Sequence, residues 1–131
     1  MKIVTAGIIC HKDKFLIALR IRTKKPALVW EFPGGKVEEG ETLQECLKRE
    51  IKEELDLEIT VKDFLMTTDF NYEFGSIRME VFFASAETDK IGKMDSHEDY
   101  RWIKTEELDK FEFAPADLPV VEKLKELNFR P

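Results

Sequence analysis

The sequence predicts an α+β fold in which helices pack against a mixed β-sheet. Apolar segments follow the order strand, helix, strand, helix, which is typical of such a sheet. The length of 131 residues fits one domain, residues 1–131, and no linker, composition break or repeat divides the chain. A hydrophobic fraction of 43% with ten phenylalanines is sufficient for a sizeable core.

Six apolar runs rich in β-branched and aromatic residues predict the strands, because turn-forming residues bound them. They are Lys2–Cys10, Phe15–Arg20, Val29–Phe32, Leu57–Thr68, Ile77–Glu87 and Tyr100–Ile103. The first two are predicted to form a hairpin. Residues 21–28 are predicted to be a basic loop whose Lys24 and Lys25 are solvated. Gly34 and Gly35 are predicted to form a tight turn that uses the access of glycine to positive φ.

Two helices are predicted from apolar periodicity. The first begins near Thr42, which has capping-box spacing to Glu45. Its buried stripe consists of residues spaced for one helix face: Leu43, Leu47, Ile51 and Leu55. The second helix opens within Pro115–Pro119, and its stripe is Val120, Val121, Leu124 and Leu127.

The balance of charge limits the partners of this chain. The net charge is −6 and charged residues make up 37%, so the overall field does not attract nucleic-acid polymers or anionic membranes. No apolar run reaches membrane-spanning length. Cys10 and Cys46 lie in apolar contexts, which favours buried thiols over a disulfide. Without a leader pattern we expect a cytoplasmic protein, either a monomer or a homodimer.

Three carboxylates, Glu50, Glu53 and Glu54, are the most informative feature of the first helix. Their spacing of i, i+3 and i+4 gathers them on one side, where like charges repel. Measured from the apolar stripe, Glu50 and Glu54 fall on the inward edge and Glu53 on its flank. An unpaired carboxylate on that edge costs several kcal/mol. The pattern therefore predicts a cation between them.

Oxygen ligands of this kind suit Mg²⁺, which often also contacts substrate phosphates. The carbonyl of Gly34 is a further candidate ligand, and Lys36 is placed to reach a phosphate. Arg49 lies four residues before Glu53, so the two side chains can pair along the helix. These groups together indicate metal-assisted hydrolysis of a phosphoanhydride.

The stretch Gly35–Leu57 resembles the signature of the Nudix family almost completely. The matching residues are Gly35, Glu41, Arg49, Glu50, Glu53 and Glu54. Asp56 replaces a glycine that is usual in this family, which affects only the end of the helix. The segment Trp30–Lys36 and the tail Phe113–Val120 are similar to the MutT-type nucleoside triphosphate pyrophosphohydrolases. The resemblance implies an α/β/α sandwich and release of pyrophosphate from a nucleoside triphosphate.

The resemblance also implies roles for single residues. The implied metal ligands are Gly34 (through its carbonyl), Glu50, Glu53, Glu54 and, by a weaker match, Glu98. The implied phosphate-binding residues are Arg20 and Lys36. Arg49 matches an arginine that orients a glutamate, and either Glu53 or Glu98 would be the general base. The implied cofactor is Mg²⁺, with Mn²⁺ as the alternative.

Asp117 is the main clue to the nucleobase. Relatives that prefer cytidine triphosphate carry Asp in this position, whereas relatives specific for oxidised guanine carry Asn. A carboxylate accepts hydrogen bonds from an exocyclic amine such as that of cytosine, and it could also accept from guanine. A role as helix N-cap explains Asp117 equally well. Phe74 and Arg78 align loosely with base-contacting positions, although a turn aromatic and a solvated arginine explain them more simply.

These observations predict an Mg²⁺-dependent pyrophosphohydrolase acting on CTP-like or modified nucleotides, such as 8-oxo-dGTP or 5-methyl-dCTP. A different nucleoside diphosphate derivative as substrate, such as a dinucleotide polyphosphate or a nucleotide sugar, remains the alternative within enzymes. A nucleotide sensor without catalysis is the alternative outside them. His11 and His97 are expected at the surface.

Overall fold

The first strand, Lys2–His11 (β1), lies in the middle of a seven-stranded mixed sheet. The computed structural model describes all residues, 1–131. β1 pairs antiparallel with β2 (Lys14–Leu19), which confirms the hairpin, and parallel with β6 (Gly75–Ser85). The other elements are β3 (Trp30–Glu31), β4 (Gly34–Lys36), α1 (Leu43–Leu55), β5 (Thr60–Tyr72), β7 (Asp99–Ile103) and α2 (Leu118–Glu126).

The sheet separates two hydrophobic cores, one on each face. The strand order is β3-β2-β1-β6-β5, with β4 paired to β1 and β7 paired to β2. Neighbouring residues of β1 point to opposite faces, so Ile8 joins the core beneath α2 and Ile9 joins the core beneath α1. One helix on each face makes an α/β/α sandwich, and the predicted α+β class is confirmed.

Helix α1 begins and ends where the sequence predicted. Thr42 is the N-cap, and its hydroxyl oxygen accepts from the Glu45 N–H at 3.1 Å while the Thr42 N–H donates to the Glu45 carboxylate at 2.8 Å. At the other end Asp56 adopts φ 49° and ψ 45°, and its carboxylate pairs with Lys52 at 2.8 Å. The aspartate therefore takes the left-handed conformation for which glycine is usual.

The predicted turn at Gly34 and Gly35 is wrong. Both residues lie in β4, paired antiparallel with Thr5 and Ala6 of β1, and neither has a positive φ. A Cβ on Gly34 would overlap the carbonyl oxygen of Thr5, and one on Gly35 would overlap the Glu50 carboxylate. The glycines are thus needed for close approach to a strand and a side chain, and a left-handed turn is not involved.

The C-terminal region differs in detail from the prediction. A 3₁₀ turn at Thr105–Lys110, which the sequence pattern did not indicate, follows β7. A second 3₁₀ turn, Pro115–Asp117, precedes α2.

Both cysteines are free, with Cys46 buried and Cys10 partly buried. No helix is both long and apolar enough to cross a membrane.

Candidate active site

The three carboxylates of α1 differ in exposure as their helical angles predicted. The side chain of Glu50 is 16% exposed, whereas that of Glu53 is 60% exposed. One carboxylate oxygen of Glu54, Oε1, is buried and has no hydrogen-bond partner. A buried polar atom without a partner is costly, so Glu54 is the residue for which stability alone offers no explanation.

Arg49 holds two of these carboxylates through one guanidinium group. Its Nη1 donates to Glu50 Oε1 at 2.9 Å and to Glu53 Oε2 at 3.2 Å. Its Nε donates to Glu41 Oε2 at 2.6 Å, and Nη2 donates to the carbonyl of Lys36 at 3.1 Å. The hydrogen bond from Arg49 lowers the pKa of Glu41 to about 2. This network ties α1 to β4 and to the loop between them.

Glu54 and Glu50 resist ionisation. Burial raises the pKa of Glu54 to about 8, and the negative charge of Glu50 adds to the effect. Burial also raises the pKa of Glu50, although the hydrogen bond and charge of Arg49 oppose the shift. Two carboxyl groups that ionise only with difficulty are stabilised as anions by any cation placed between them.

The carboxylates are not already arranged as a metal cage. No three Asp, Glu, His or Cys side chains are grouped closely enough to hold an ion. Glu50 and Glu53 both bind Arg49, whereas Glu54 lines a cavity and has one buried oxygen without a partner. The helix therefore places all three groups in one region, but their side chains diverge because the guanidinium satisfies two of them.

A cavity of about 580 Å³ connects this acidic region with a second group of residues around Asp117. The lining residues on the acidic side include Gly34, Gly35, Lys36, Glu50 and Glu54. Those on the other side include Phe32, Tyr72, Phe74, Ala116 and Asp117. The end around Asp117 therefore has mainly apolar and aromatic walls with one buried carboxyl group, which is typical of small-molecule binding.

Asp117 is buried at this cavity. Its Oδ1 accepts a hydrogen bond from the Phe32 N–H at 3.0 Å, and its other oxygen has no protein partner. Asp117 does occupy the N-cap position of α2, but its side chain makes no capping hydrogen bond, so capping does not explain the carboxylate. Burial, with the charge of Glu31 as the next cause, raises the pKa of Asp117 well above its usual value.

A scan against family models matches residues 1–124 to the NUDIX domain. The chain belongs to the Nudix family. It is 33% identical over 127 residues to the CTP pyrophosphohydrolase of Escherichia coli K12, covering 95% of this chain and 92% of the relative. It is also 33% identical over 127 residues to the 8-oxo-dGTP diphosphatase of Buchnera aphidicola subsp. Schizaphis graminum, covering 96% and 95%.

The solved structures agree with this assignment. The solution structure of the E. coli ORF135 protein superimposes with a TM-score of 0.83 at 31% identity, covering 98% of this chain and 91% of that protein. The resemblance inferred from the signature residues is thus confirmed, and the chain is a Nudix hydrolase.

The structure of this Nudix hydrolase brings most of the expected residues to the cavity, but not all. Arg20, Lys36 and Phe74 line it, and Phe74 stacks on Tyr72 with ring centroids 4.9 Å apart. Four expected residues lie outside the lining, two of which, Arg49 and Glu53, are on α1 beside it. Glu98 pairs with Arg22 at 3.3 Å, and Arg78 pairs with Asp69 at 2.9 Å on the exposed surface of β6.

Sequence reasoning missed a buried network beside the Nudix cavity. Glu31 Oε1 accepts from Arg20 at 2.7 Å, and Oε2 lies 2.9 Å from His97 Nε2. The other ring nitrogen of His97 lies 3.0 Å from the Tyr100 hydroxyl. Burial by itself raises the pKa of Glu31, but His97 and Arg20 outweigh it and hold the pKa below its usual value.

The expected surface position of His97 is wrong, because its exposure is only 8%. Its adjacent residues in sequence are polar, and the burial is explained by its contacts with Tyr100 and with the distant Glu31. Glu31 itself could have been suspected, since a carboxylate between Trp30 and the buried Phe32 needs a partner. Lys24 and Lys25, expected to be simply solvated, line the cavity.

Proposed function

We propose that this Nudix hydrolase converts nucleoside triphosphates to a monophosphate and pyrophosphate, with Mg²⁺ or Mn²⁺ as cofactor. The observation that carries the proposal is the single cavity shared by Glu50, Glu54 and Asp117. Carboxylates can hold the cation that a phosphate chain needs, and a buried polar group between apolar walls can select a base. The names of the two relatives, a CTP pyrophosphohydrolase and an 8-oxo-dGTP diphosphatase, are consistent with it.

The residues present fit a divalent cation. The buried oxygen of Glu54 lacks any partner, and the oxygens of carboxylates and of the Gly34 carbonyl are the ligand type that Mg²⁺ prefers. Glu50, Glu53, Glu54 and the Gly34 carbonyl would hold it. When bound, such an ion offsets the charge of the phosphates and lowers the pKa of water.

The protein itself supplies orientation and a proton acceptor. Arg49 fixes the rotamers of Glu50 and Glu53 through charge-assisted hydrogen bonds. Glu53 is the exposed carboxylate of the three, so it is accessible to a water molecule and is one candidate for the general base. Glu98 is the other candidate, and it would have to leave Arg22 to act. Replacing Glu53 with Gln should remove most turnover while the far-UV circular dichroism stays unchanged.

Asp117 is proposed to select the base. One oxygen is occupied by the Phe32 N–H, so the other is available to a ligand. As a carboxylate this oxygen accepts from an amine of cytosine or guanine, and as a carboxylic acid it donates to a ring nitrogen or carbonyl. The substrates proposed are therefore CTP-like nucleotides or modified nucleotides such as 8-oxo-dGTP and 5-methyl-dCTP. Replacement by Asn keeps the bond to Phe32 and changes only the base-facing group.

The decisive experiment measures hydrolysis at millimolar Mg²⁺ by the wild type and Asp117→Asn. The panel contains CTP, 5-methyl-dCTP, dGTP, 8-oxo-dGTP, dATP and UTP, with pyrophosphate release as the readout, and a dinucleotide polyphosphate and a nucleotide sugar, with nucleoside monophosphate release as the readout. We expect turnover of at least one cytosine or modified nucleotide, and a changed preference in the variant. A clear preference for dATP or UTP would contradict the role of Asp117. Binding across the panel without turnover would instead support a sensor, and turnover only of dinucleotide polyphosphates or nucleotide sugars would support the other alternative.

A further inference from the structure

Four lysines line the cavity without a carboxylate partner. They are Lys2, Lys24, Lys25 and Lys36, and none lies within 4.0 Å of an acidic oxygen. Elsewhere some lysines pair with carboxylates, as Lys52 and Lys104 do at 2.8 and 3.1 Å, and others such as Lys62 do not. The cavity differs because it brings four unpaired lysines together in a protein whose net charge is −6. The wall of the cavity thus carries uncompensated positive charge, which favours an anionic ligand.

Two of these lysines lie on a loop that Arg20 fastens in place. The loop, residues 21–28, joins β2 to β3. Arg20 Nε donates to the carbonyl of Pro26 at 2.7 Å, and Nη2 donates to the carbonyl of Lys25 at 3.2 Å. The backbone of Leu28 donates to the Arg20 carbonyl at 3.2 Å. A loop held by side-chain and main-chain bonds presents Lys24 and Lys25 in a defined position.

The guanidinium of Arg20 is largely committed to this structural role. Its Nη1 pairs with Glu31 at 2.7 Å, so all three of its nitrogens donate to the protein. Three of the five guanidinium N–H groups are thus engaged, which leaves two for a phosphate, whereas each unpaired lysine ammonium group has three. The expected phosphate-binding role of Arg20 is therefore better filled by the lysines that it positions.

The loop lysines line the same cavity as the carboxylates Glu50 and Glu54. Lys24 and Glu54 both line the cavity, yet they form no ion pair. A lysine that shares the cavity with the carboxylates but does not pair with them leaves room for a phosphate between the two. Such a phosphate could contact both the ammonium group and a metal ion held by the carboxylates.

We propose that Lys24 and Lys25 bind the pyrophosphate end of the nucleotide, and that Arg20 is a positioning residue that acts through them. This assignment rests on the proposed function, because it presumes a triphosphate in the cavity. Each ammonium group supplies up to three hydrogen-bond donors to phosphate oxygens. Lys36, on β4, lines the same cavity and would add a further ammonium group to the cationic wall.

The first test compares Lys24→Met/Lys25→Met with Lys62→Met/Lys110→Met. Lys62 and Lys110 are exposed, unpaired and outside the cavity lining, so the control removes the same charge. In the cavity variant we expect KM for the best triphosphate to rise about 30-fold, with kcat within about threefold of wild type. The inhibition constant of inorganic pyrophosphate should rise in parallel, whereas that of the nucleoside monophosphate should not change. An equal rise in KM in both double variants would show that only the net charge of the protein matters, and it would overturn the proposal.

The second test separates positioning from direct contact. Arg20→Lys should raise KM about tenfold in the wild-type background, and this effect should almost disappear when Lys24 and Lys25 are already Met. Additive effects would place the arginine on the phosphate itself. A thermal melt of each variant shows whether the fold is kept. Failure of the wild type to hydrolyse any triphosphate would defeat the proposed function, whereas wild-type turnover with an unchanged KM in Lys24→Met/Lys25→Met would defeat only this inference.

Discussion

Replacing Glu54 with Gln should stabilise the metal-free protein, because the wild-type residue is held where it does not ionise easily. Burial, then repulsion from Glu50, raises its pKa from 4.5 to about 8. A carboxyl group whose pKa is higher in the folded than in the unfolded chain binds its proton more tightly when folded. Below pH 4.5 both states are protonated and the group has no effect.

As the pH rises above that value, the unfolded chain releases its proton first and gains stability relative to the folded chain. The free energy of unfolding then falls by up to about 1.4 kcal/mol per pH unit until the folded group also ionises. At about pH 7 the accumulated loss is about 3 kcal/mol. Glutamine has no proton to lose, so Glu54→Gln should be more stable than wild type by up to this amount near neutral pH.

The assay is urea unfolding in EDTA, followed by far-UV circular dichroism between about pH 5 and pH 8. The difference between Glu54→Gln and wild type should grow steadily with pH. Glu53→Gln is the matched control, and its 60% exposed side chain predicts a change within about 0.5 kcal/mol. Added Mg²⁺ should stabilise the wild type and have less effect on Glu54→Gln. A variant that is less stable than wild type at high pH, or a difference that does not depend on pH, would refute the reasoning.

Three further predictions concern local geometry. Gly35→Ala should force the Glu50 carboxylate aside, so pyrophosphate release should fall at least about tenfold and the free energy of unfolding in urea by about 1–3 kcal/mol. Gly34→Ala should be more destabilising, because its added methyl group meets the backbone of β1. Thr42→Ala should lower the free energy of unfolding by about 1 kcal/mol through loss of the α1 N-cap, with kcat unchanged. Asp56→Gly should raise the urea midpoint, corresponding to about 0.5 kcal/mol, because relief of the left-handed conformation outweighs an exposed ion pair.

Each of these has an outcome that contradicts it. Gly35→Ala with full activity would mean that Glu50 does not need its present position. An unchanged urea midpoint in Thr42→Ala would show that the capping box contributes nothing to stability. A lower midpoint in Asp56→Gly would show that the contact with Lys52 dominates the end of the helix.

The sequence predicted well those features that depend on neighbours along the chain. The capping box of Thr42 and the inward angle of Glu54 both follow from helical spacing, and both are present. The residues on the buried side of α1 could therefore be predicted from the sequence, including Glu54, whose buried oxygen has no hydrogen-bond partner. The hairpin of β1 and β2 is local for the same reason.

Features that depend on distant partners could not be read in this way. The strand conformation of Gly34 comes from pairing with Ala6, and the burial of His97 comes from Glu31, 66 positions away. Asp117 has the position of a helix cap, but the Phe32 N–H 85 positions away competes for its carboxylate. Local patterns cannot rank such partners, since burial decides which hydrogen bond forms.

The parallel pairing of β1 with β6 sets the order in which this enzyme can fold. Lys2 pairs with Ile77 and Cys10 with Ser85. The first strand to be synthesised can therefore pair with β6 only after residues 75 positions later in the chain have been made. Helix α1 and its capping box need no such delay. Gly34 and Gly35 lie along the other edge of β1, so the cavity is complete only when this long-range closure has occurred. We therefore expect refolding to be slow for a chain of this size, with catalytic activity returning only in the slowest phase.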